Sequence, residues 1–188
     1  MNEIDIYEDL DWFDEVFGDL DLTMLHSGEK HRVFVYGTLM TGMRNHFRMD
    51  NNGVRRITNI SSTEHGFHFT SAAMTTGAFE MRTRITGAGY PAPIVITEGE
   101  QENQIRGEVY EVSNQMLITL DRLEGHPEVY RRESVLVGYT LPENQWASEN
   151  MWMYIYVDDI PAPESTEGIR IFRLNGDAAM YQWTGEES

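Results

Sequence analysis

The first candidate for chemistry is Glu124, at the end of the most clearly predicted helix of the chain. Ser113 is a good N-cap because its hydroxyl can accept from an otherwise unpaired amide, and Gly125 suits the left-handed residue that ends a helix. Glu124 follows Leu117 by seven positions, so the two lie about 20° apart on the helical wheel. The apolar arc that Glu124 shares is formed by Met116, Leu117, Leu120 and Leu123.

A carboxylate on the buried side of a helix is costly unless it is paired or protonated. Desolvation raises the pKa of such a group, and the negative end of the helix dipole acts in the same direction. Glu124 is therefore a candidate general acid and base near neutral pH. The alternative is a structural role in which Glu124 pairs with Arg131 or Arg132, and the helix alone leaves both roles open.

The second candidate is the turn Tyr36-Gly37-Thr38-Leu39, which ends a predicted apolar strand that begins at Arg32. Gly37 allows a sharp turn or a close approach to a ligand. Consecutive backbone N–H groups beyond a strand end can form a concavity that binds a carboxylate or a developing oxyanion. An ordinary turn at the end of a strand could have the same four residues. The motif by itself therefore fits either an anion-binding site or a purely structural turn.

Composition excludes several other kinds of chemistry. The chain has 188 residues, a formal net charge of −17 and no cysteine, so thiol nucleophiles, disulfides and cysteine–metal sites are excluded. The negative charge opposes nucleic acid and anionic membranes. The histidines lack acidic partners at metal-binding spacing, and there is no phosphate-binding P-loop or G-x-S-x-G motif. We expect neither a metal site nor a nucleotide site.

The elements that must position these residues are short strands around one helix. Strands are predicted at residues 94–97, 107–112, 133–140 and 151–157. Strands without regular βα alternation are typical of an α+β protein with an antiparallel sheet or small barrel. In the last strand Trp152, Tyr154 and Tyr156 alternate on one face, which is typical of core, although Tyr154 or Tyr156 could line a pocket mouth.

Three segments are predicted. Residues 1–30 carry ten Asp or Glu against one Lys, and we expect a short amphipathic helix around 8–18 or a solubilising arm, either of which could meet a basic protein partner. Residues 31–157 form the domain, and residues 158–188 form a linker and tail. The acidic start resembles no signal or transit peptide, and no window approaches the roughly 20 apolar residues of a membrane span. We therefore expect a soluble, cytoplasmic protein.

Five stretches together resemble the gamma-glutamylcyclotransferase-like superfamily, and most closely its gamma-glutamylamine cyclotransferase branch. They are VFVYGTLMTGMRNH at 33–46, FHFTSAAMTTGAFEM at 67–81, GYPAPIV at 89–95, GEVYEVSNQMLITLDRLEGHPEVYRRESVLV at 107–137 and MYIYV at 153–157. YGTL, then GEVY, then LD-x-x-EG-x-P-x-x-Y-x-R is a far more specific combination than any single motif. The resemblance implies a small antiparallel β-barrel with packed helices.

The resemblance also implies roles for individual residues. Tyr36, Gly37, Thr38 and Leu39 would bind the glutamyl part of the substrate through backbone amides, and Glu124 would be the catalytic acid and base. Tyr130 and Arg132 match the family pattern and, with Tyr154, are candidates for the pocket. No metal or organic cofactor is implied.

The implied reaction releases 5-oxoproline and a free amine from a gamma-glutamylamine by attack of the substrate's own α-amine. One alternative is a cyclotransferase of the same fold that acts on gamma-glutamyl amino acids, glutathione or a carrier-bound gamma-glutamyl group. The other is a non-catalytic interaction protein that uses residues 1–30 to bind a basic partner. An intact YGTL turn together with Glu124 favours the enzyme.

Overall fold

The structure is a computed structural model that describes residues 29–49, 54–57, 62–63, 66–67, 73–75, 79–87, 89–97, 103–140, 146–157, 165–173 and 178–185. The helix predicted around residues 8–18 lies outside these ranges. None of the described helices has the length and apolar composition needed to cross a membrane.

Strands dominate the described residues, with one α-helix and a short 3-10 helix at His46–Met49. The helix, α1, spans Asn114–Glu124 and directly follows the ten-residue strand β8. The strands are β1 Lys30–Val35, β2 Val54–Arg56, β3 Ser62–Thr63, β4 Gly66–Phe67, β5 Ala73–Thr75, β6 Glu80–Ile85, β7 Pro91–Ile96, β8 Gln104–Ser113, β9 Tyr130–Thr140, β10 Trp146–Tyr156, β11 Ile169–Arg173 and β12 Ala179–Trp183.

The main sheet has the order β1-β10-β9-β5-β8-β12-β11, and β8 also pairs with β2 and β1. Most pairs are antiparallel, but β1 runs parallel to β10 and β12 runs parallel to β8. β6 and β7 form a separate antiparallel hairpin, and β3 and β4 form another. The α+β class is confirmed, whereas closure into a barrel stays a prediction. The two parallel pairs correct the expectation of a wholly antiparallel arrangement.

Helix α1 begins and ends where its capping residues predict. The Ser113 hydroxyl accepts from the Met116 amide at 3.2 Å, and Gly125 has the left-handed φ of 65°. The helix packs against β8 and β1, and it buries Met116, Leu117 and Leu120. This packing fixes the direction in which the last turn of the helix presents its side chains.

Leu123 departs from the predicted apolar face, because its side chain is 37% exposed. At about 100° per residue, it falls about 20° outside the arc bounded by Met116 and Leu117. Glu124 falls inside that arc. The arc that contacts the sheet is thus narrower than the sequence pattern suggests, and it includes the glutamate but excludes the last leucine.

The segment predicted as linker and tail, residues 158–188, contains two strands. β11 and β12 pair with each other, and β12 pairs in parallel with β8. Trp183 at the end of β12 is buried in the core. The strands are only five residues long, and the alternation of apolar residues within them is weak, so the sequence alone does not distinguish them from a tail.

Leu120 tests the packing of α1. It is fully buried, so we expect Leu120→Ala to lower the free energy of unfolding by about 2–5 kcal/mol. Leu123→Ala on the same helix is the matched control and should cost less than about 1 kcal/mol, because the side chain is partly in solvent. Urea unfolding measures both. Equal losses would contradict the described orientation of the helix.

Candidate active site

A cavity of about 50 Å³ opens where β1 ends. β1 contributes one wall, β7 a second, and the end of α1 a third. The lining residues are Phe34, Val35, Tyr36, Gly37, Thr38, Leu39, Ala92, Pro93, Glu124, Tyr130 and Tyr154. The structure therefore brings the four residues of the turn together with Glu124, Tyr130 and Tyr154.

The turn after β1 is closed by its own backbone. The Gly37 carbonyl accepts from the Met40 amide at 3.0 Å, and the Thr38 carbonyl accepts from the Asn45 amide at 2.9 Å. The Asn45 side-chain amide also donates to the Thr38 hydroxyl at 3.0 Å. Within the described part of the chain, the N–H groups of Gly37, Thr38 and Leu39 donate to no protein acceptor. This arrangement can supply hydrogen bonds to an anionic group.

Gly37 is required by a close contact rather than by an unusual backbone angle. A Cβ atom at this position would lie 2.7 Å from Cγ of Pro93. The absence of a side chain lets β7 approach the turn and bring Ala92 and Pro93 into the wall of the cavity. A glycine here is therefore a packing requirement of the site.

A second buried glutamate, Glu108, holds the chain that follows the turn. Its Oε2 atom accepts from the Thr41 amide at 2.9 Å and from the Tyr110 hydroxyl at 2.7 Å. Burial raises the pKa of Tyr110, so its hydroxyl stays protonated and can donate. Sequence reasoning missed Glu108. The signal was its position two residues before Tyr110, which places both side chains on the same face of β8.

The Glu124 carboxyl group has no comparable partners. It forms no ion pair or side-chain hydrogen bond with any residue that the structure describes. The residue is only partly exposed where it borders the cavity, and burial raises the pKa of its carboxyl group to about 7. At neutral pH the group is therefore divided between its acid and base forms.

The structural alternative for Glu124 required Arg131 or Arg132 as its partner. Arg131 instead pairs with Glu133 at 2.7 Å, and Arg132 pairs with Asp121 at 2.6 Å. Both pairs leave the Glu124 carboxyl group without a counter-charge. The two arginines follow Glu124 closely in the sequence, but the course of β9 turns each toward another carboxylate.

Arg132 does not line the cavity, although the sequence made it a pocket candidate. Its guanidinium lies 4.9 Å from the centroid of the Trp152 ring and binds Asp121. The other oxygen of Asp121 accepts from the Tyr154 hydroxyl at 2.7 Å. Arg132 thus reaches the cavity only through Asp121, by fixing the position of Tyr154.

Three tyrosines surround the carboxyl group: Tyr36, Tyr130 and Tyr154. The Tyr36 hydroxyl donates to the Tyr154 carbonyl at 2.6 Å and ties β1 to β10. Burial is the main cause that raises the pKa of all three phenols, and the charge of Glu124 raises each further. The phenols are therefore neutral at physiological pH, and the carboxyl group is the ionisable group of the cavity that titrates near pH 7.

Comparison with known proteins identifies the family to which the chain is similar. Residues 33–172 match the family model described as "Gamma-glutamyl cyclotransferase, AIG2-like". The chain is 33% identical over 126 residues to the Drosophila melanogaster protein named "Putative gamma-glutamylcyclotransferase CG2811", covering 66% of this chain and 68% of that one. It is 30% identical over 105 residues to gamma-glutamylaminecyclotransferase C of Danio rerio, covering 56% and 60%.

Among solved structures, the fold is similar to the crystal structure of an AIG2-like protein from Mus musculus. The TM-score is 0.47 at 24% identity, covering 74% of this chain and 90% of that one. The resemblance inferred from the sequence motifs is confirmed by the family match, which spans most of the chain and contains the turn, Glu124 and Tyr130. The chain belongs to the gamma-glutamyl cyclotransferase, AIG2-like family.

Proposed function

We propose that this protein releases 5-oxoproline and a free amine from a gamma-glutamylamine. The observation that carries the proposal is a carboxyl group with a pKa of about 7 that pairs with no residue the structure describes. It lies in a cavity lined by three residues whose backbone N–H groups have no acceptor among those same residues. Membership of the family supports the class of reaction. The name of the Danio rerio relative supports an amine as the leaving group.

The first step activates the substrate's α-amine. The Glu124 carboxylate takes a proton from the α-ammonium group, and the free amine attacks the γ-carbonyl carbon of the same molecule. A carbon–nitrogen bond forms and closes a five-membered ring, and the carbonyl oxygen becomes an oxyanion. A pKa near 7 suits this task, because the carboxylate is present at neutral pH and still has useful affinity for a proton.

The second step expels the amine. The protonated Glu124 gives its proton to the leaving nitrogen, the original carbon–nitrogen bond breaks, and the carbonyl of 5-oxoproline re-forms. The ring nitrogen still carries two hydrogens after the attack, so the Glu124 carboxylate takes the second proton from it and passes that proton to the departing amine, which leaves as an ammonium ion. The carboxylate is thereby regenerated, and no water is consumed. One side chain serves both steps because the two nitrogens lie on the same carbon.

The turn contributes electrostatic stabilisation and orientation. The N–H groups of Gly37, Thr38 and Leu39 can bind the substrate's α-carboxylate or the oxyanion. Because the reacting amine and carbonyl belong to one molecule, little translational entropy has to be lost, and holding the chain in a ring-closing conformation is the main requirement. Neutral phenols around the cavity leave the Glu124 carboxylate as the proton acceptor.

Glu124→Gln tests the assignment of the proton carrier. The amide keeps the size of the side chain but cannot accept and return a proton, so we expect kcat on gamma-glutamyl-ε-lysine to fall at least about 1000-fold. Release of free amine and 5-oxoproline measures turnover. Glu128→Gln is the matched control, because this glutamate is exposed four residues away and should leave kcat unchanged. Wild-type turnover in the Glu124 variant would remove Glu124 from the mechanism.

The pH dependence tests the same carboxyl group in the active protein. Glu124 must be ionised to accept the first proton, so kcat/KM should rise with pH and level off above a midpoint of about 7. Below the midpoint we expect a decrease of about tenfold for each pH unit. Initial rates between pH 5 and pH 8.5 provide the profile. A flat profile across this range would contradict a base with this pKa.

Stability provides a readout that does not depend on turnover. Burial raises the folded-state pKa of Glu124 from 4.5 to about 7, so the folded protein loses stability relative to the unfolded chain as pH rises through this window. We expect Glu124→Gln to be more stable than wild type by about 1–3 kcal/mol at pH 8. The difference should fall below about 1 kcal/mol at pH 5. Urea unfolding at the two pH values measures this difference in the free energy of unfolding. If Glu124→Gln were no more stable than wild type at pH 8, burial of the ionised Glu124 carboxylate would not destabilise the fold.

A further inference from the structure

A second and larger cavity lies beside the candidate active site. Its volume is about 280 Å³, against about 50 Å³ for the first. Thr38 lines both cavities, and β7 contributes Pro91 to the second and Ala92 and Pro93 to the first. The residues that line the second cavity are Thr38, Gly42, Met43, Arg44, Pro91, Trp183, Thr184 and Gly185.

The far wall of the second cavity comes from the end of β12. Thr184 is held there by two hydrogen bonds to the Gly168 carbonyl, from its amide at 2.9 Å and its hydroxyl at 3.0 Å. Trp183 is buried, and Gly185 lies against the Met43 sulfur, which would be 3.6 Å from a Cβ atom at that position. This wall follows residue 172, where the match to the family model ends. The cavity is therefore bounded in part by residues outside the family pattern.

The distinctive chemical feature of the second cavity is Arg44, which lines it together with Gly42 and Met43. Its guanidinium lies 4.2 Å from the centroid of the Tyr90 ring, which restricts its position by a cation–π contact. Among the residues that the structure describes, no carboxylate forms an ion pair with Arg44. A guanidinium held over a ring still has N–H groups that can donate to a planar anion such as a carboxylate. The feature stands out in a chain with a net charge of −17.

We propose that the second cavity binds the leaving half of the substrate and that Arg44 binds a carboxylate on that half. The inference rests on the proposed function, in which the turn holds the glutamyl half in the first cavity. The first cavity, at about 50 Å³, is too small for both halves, and Thr38 lines both cavities, so we place the amine half past Thr38 in the larger one. The preferred class is therefore gamma-glutamyl compounds whose amine half ends in a carboxylate.

Two substrates that differ only in that carboxylate test the inference. Gamma-glutamyl-ε-lysine carries it, and gamma-glutamylcadaverine lacks it but is otherwise the same. We expect the wild-type protein to show a kcat/KM roughly fivefold higher for gamma-glutamyl-ε-lysine, mostly through a lower KM, because the ion pair forms in the ground state as well as in the transition state.

Arg44→Gln should reduce this ratio to about one. Arg170→Gln is the matched control, because Arg170 is exposed on β11 and lies outside both cavities, and it should keep the wild-type ratio. Thermal unfolding of both variants confirms that they are folded. A wild-type ratio near one, or a fivefold ratio that persists in Arg44→Gln, would overturn the inference and leave the proposed function intact. No amine release from either compound would overturn the proposed function, and the inference with it.

Discussion

The candidate site depends on a carboxyl group that is buried without a counter-charge. Removing a carboxylate from water is unfavourable, and proteins usually offset the cost with an arginine or with several hydrogen-bond donors. Glu124 has neither among the described residues, although Arg131 and Arg132 follow it by seven and eight positions in the sequence. The fold tolerates this cost because α1 is anchored elsewhere, by its caps and by Leu120 against the sheet.

Glu108 shows what a structural carboxylate looks like in the same protein. It is buried as well, but its Oε2 atom accepts from Thr41 and Tyr110, and it fixes the chain beyond the turn. The two glutamates therefore divide two tasks. In Glu108, three donors on one carboxylate oxygen replace water and fix the loop, whereas Glu124 keeps a raised pKa and borders the cavity. Both side chains are removed from bulk water, so the two glutamates differ in their hydrogen-bond partners and not in their burial.

Local signals predicted the parts of the fold and site that depend on nearby residues. The Ser113 cap, the terminating Gly125 and the helical wheel together placed Glu124 on the face that contacts the sheet, and the structure agrees. The α+β class followed from short strands without βα alternation. The turn at Gly37 was also located correctly, although its contact with Pro93 could not be read from the sequence, because it joins residues far apart in the chain.

The features that the sequence did not predict arise from contacts across the sheet. Arg132 was a pocket candidate by motif, but the register of β9 against β10 directs it to Asp121 and the Trp152 ring. Leu123 was placed with the core because a wheel shows direction and not the width of the partner surface. The pairing of β12 with β8 joins Met180 to Gln104, a separation that no local periodicity can reveal.

The hairpin formed by β11 and β12 divides the molecule into two regions with different constraints. The turn and Glu124 line one cavity, and Glu108 on β8 holds the chain that follows the turn. Among the described residues, the hairpin pairs with the main sheet through β12 and β8, and its end forms the far wall of the second cavity. Substitutions at Thr184 or Gly185 would change the lining of the second cavity and leave Glu124 in the first cavity unchanged. Such changes would give related proteins a different choice of compounds with the same reacting group.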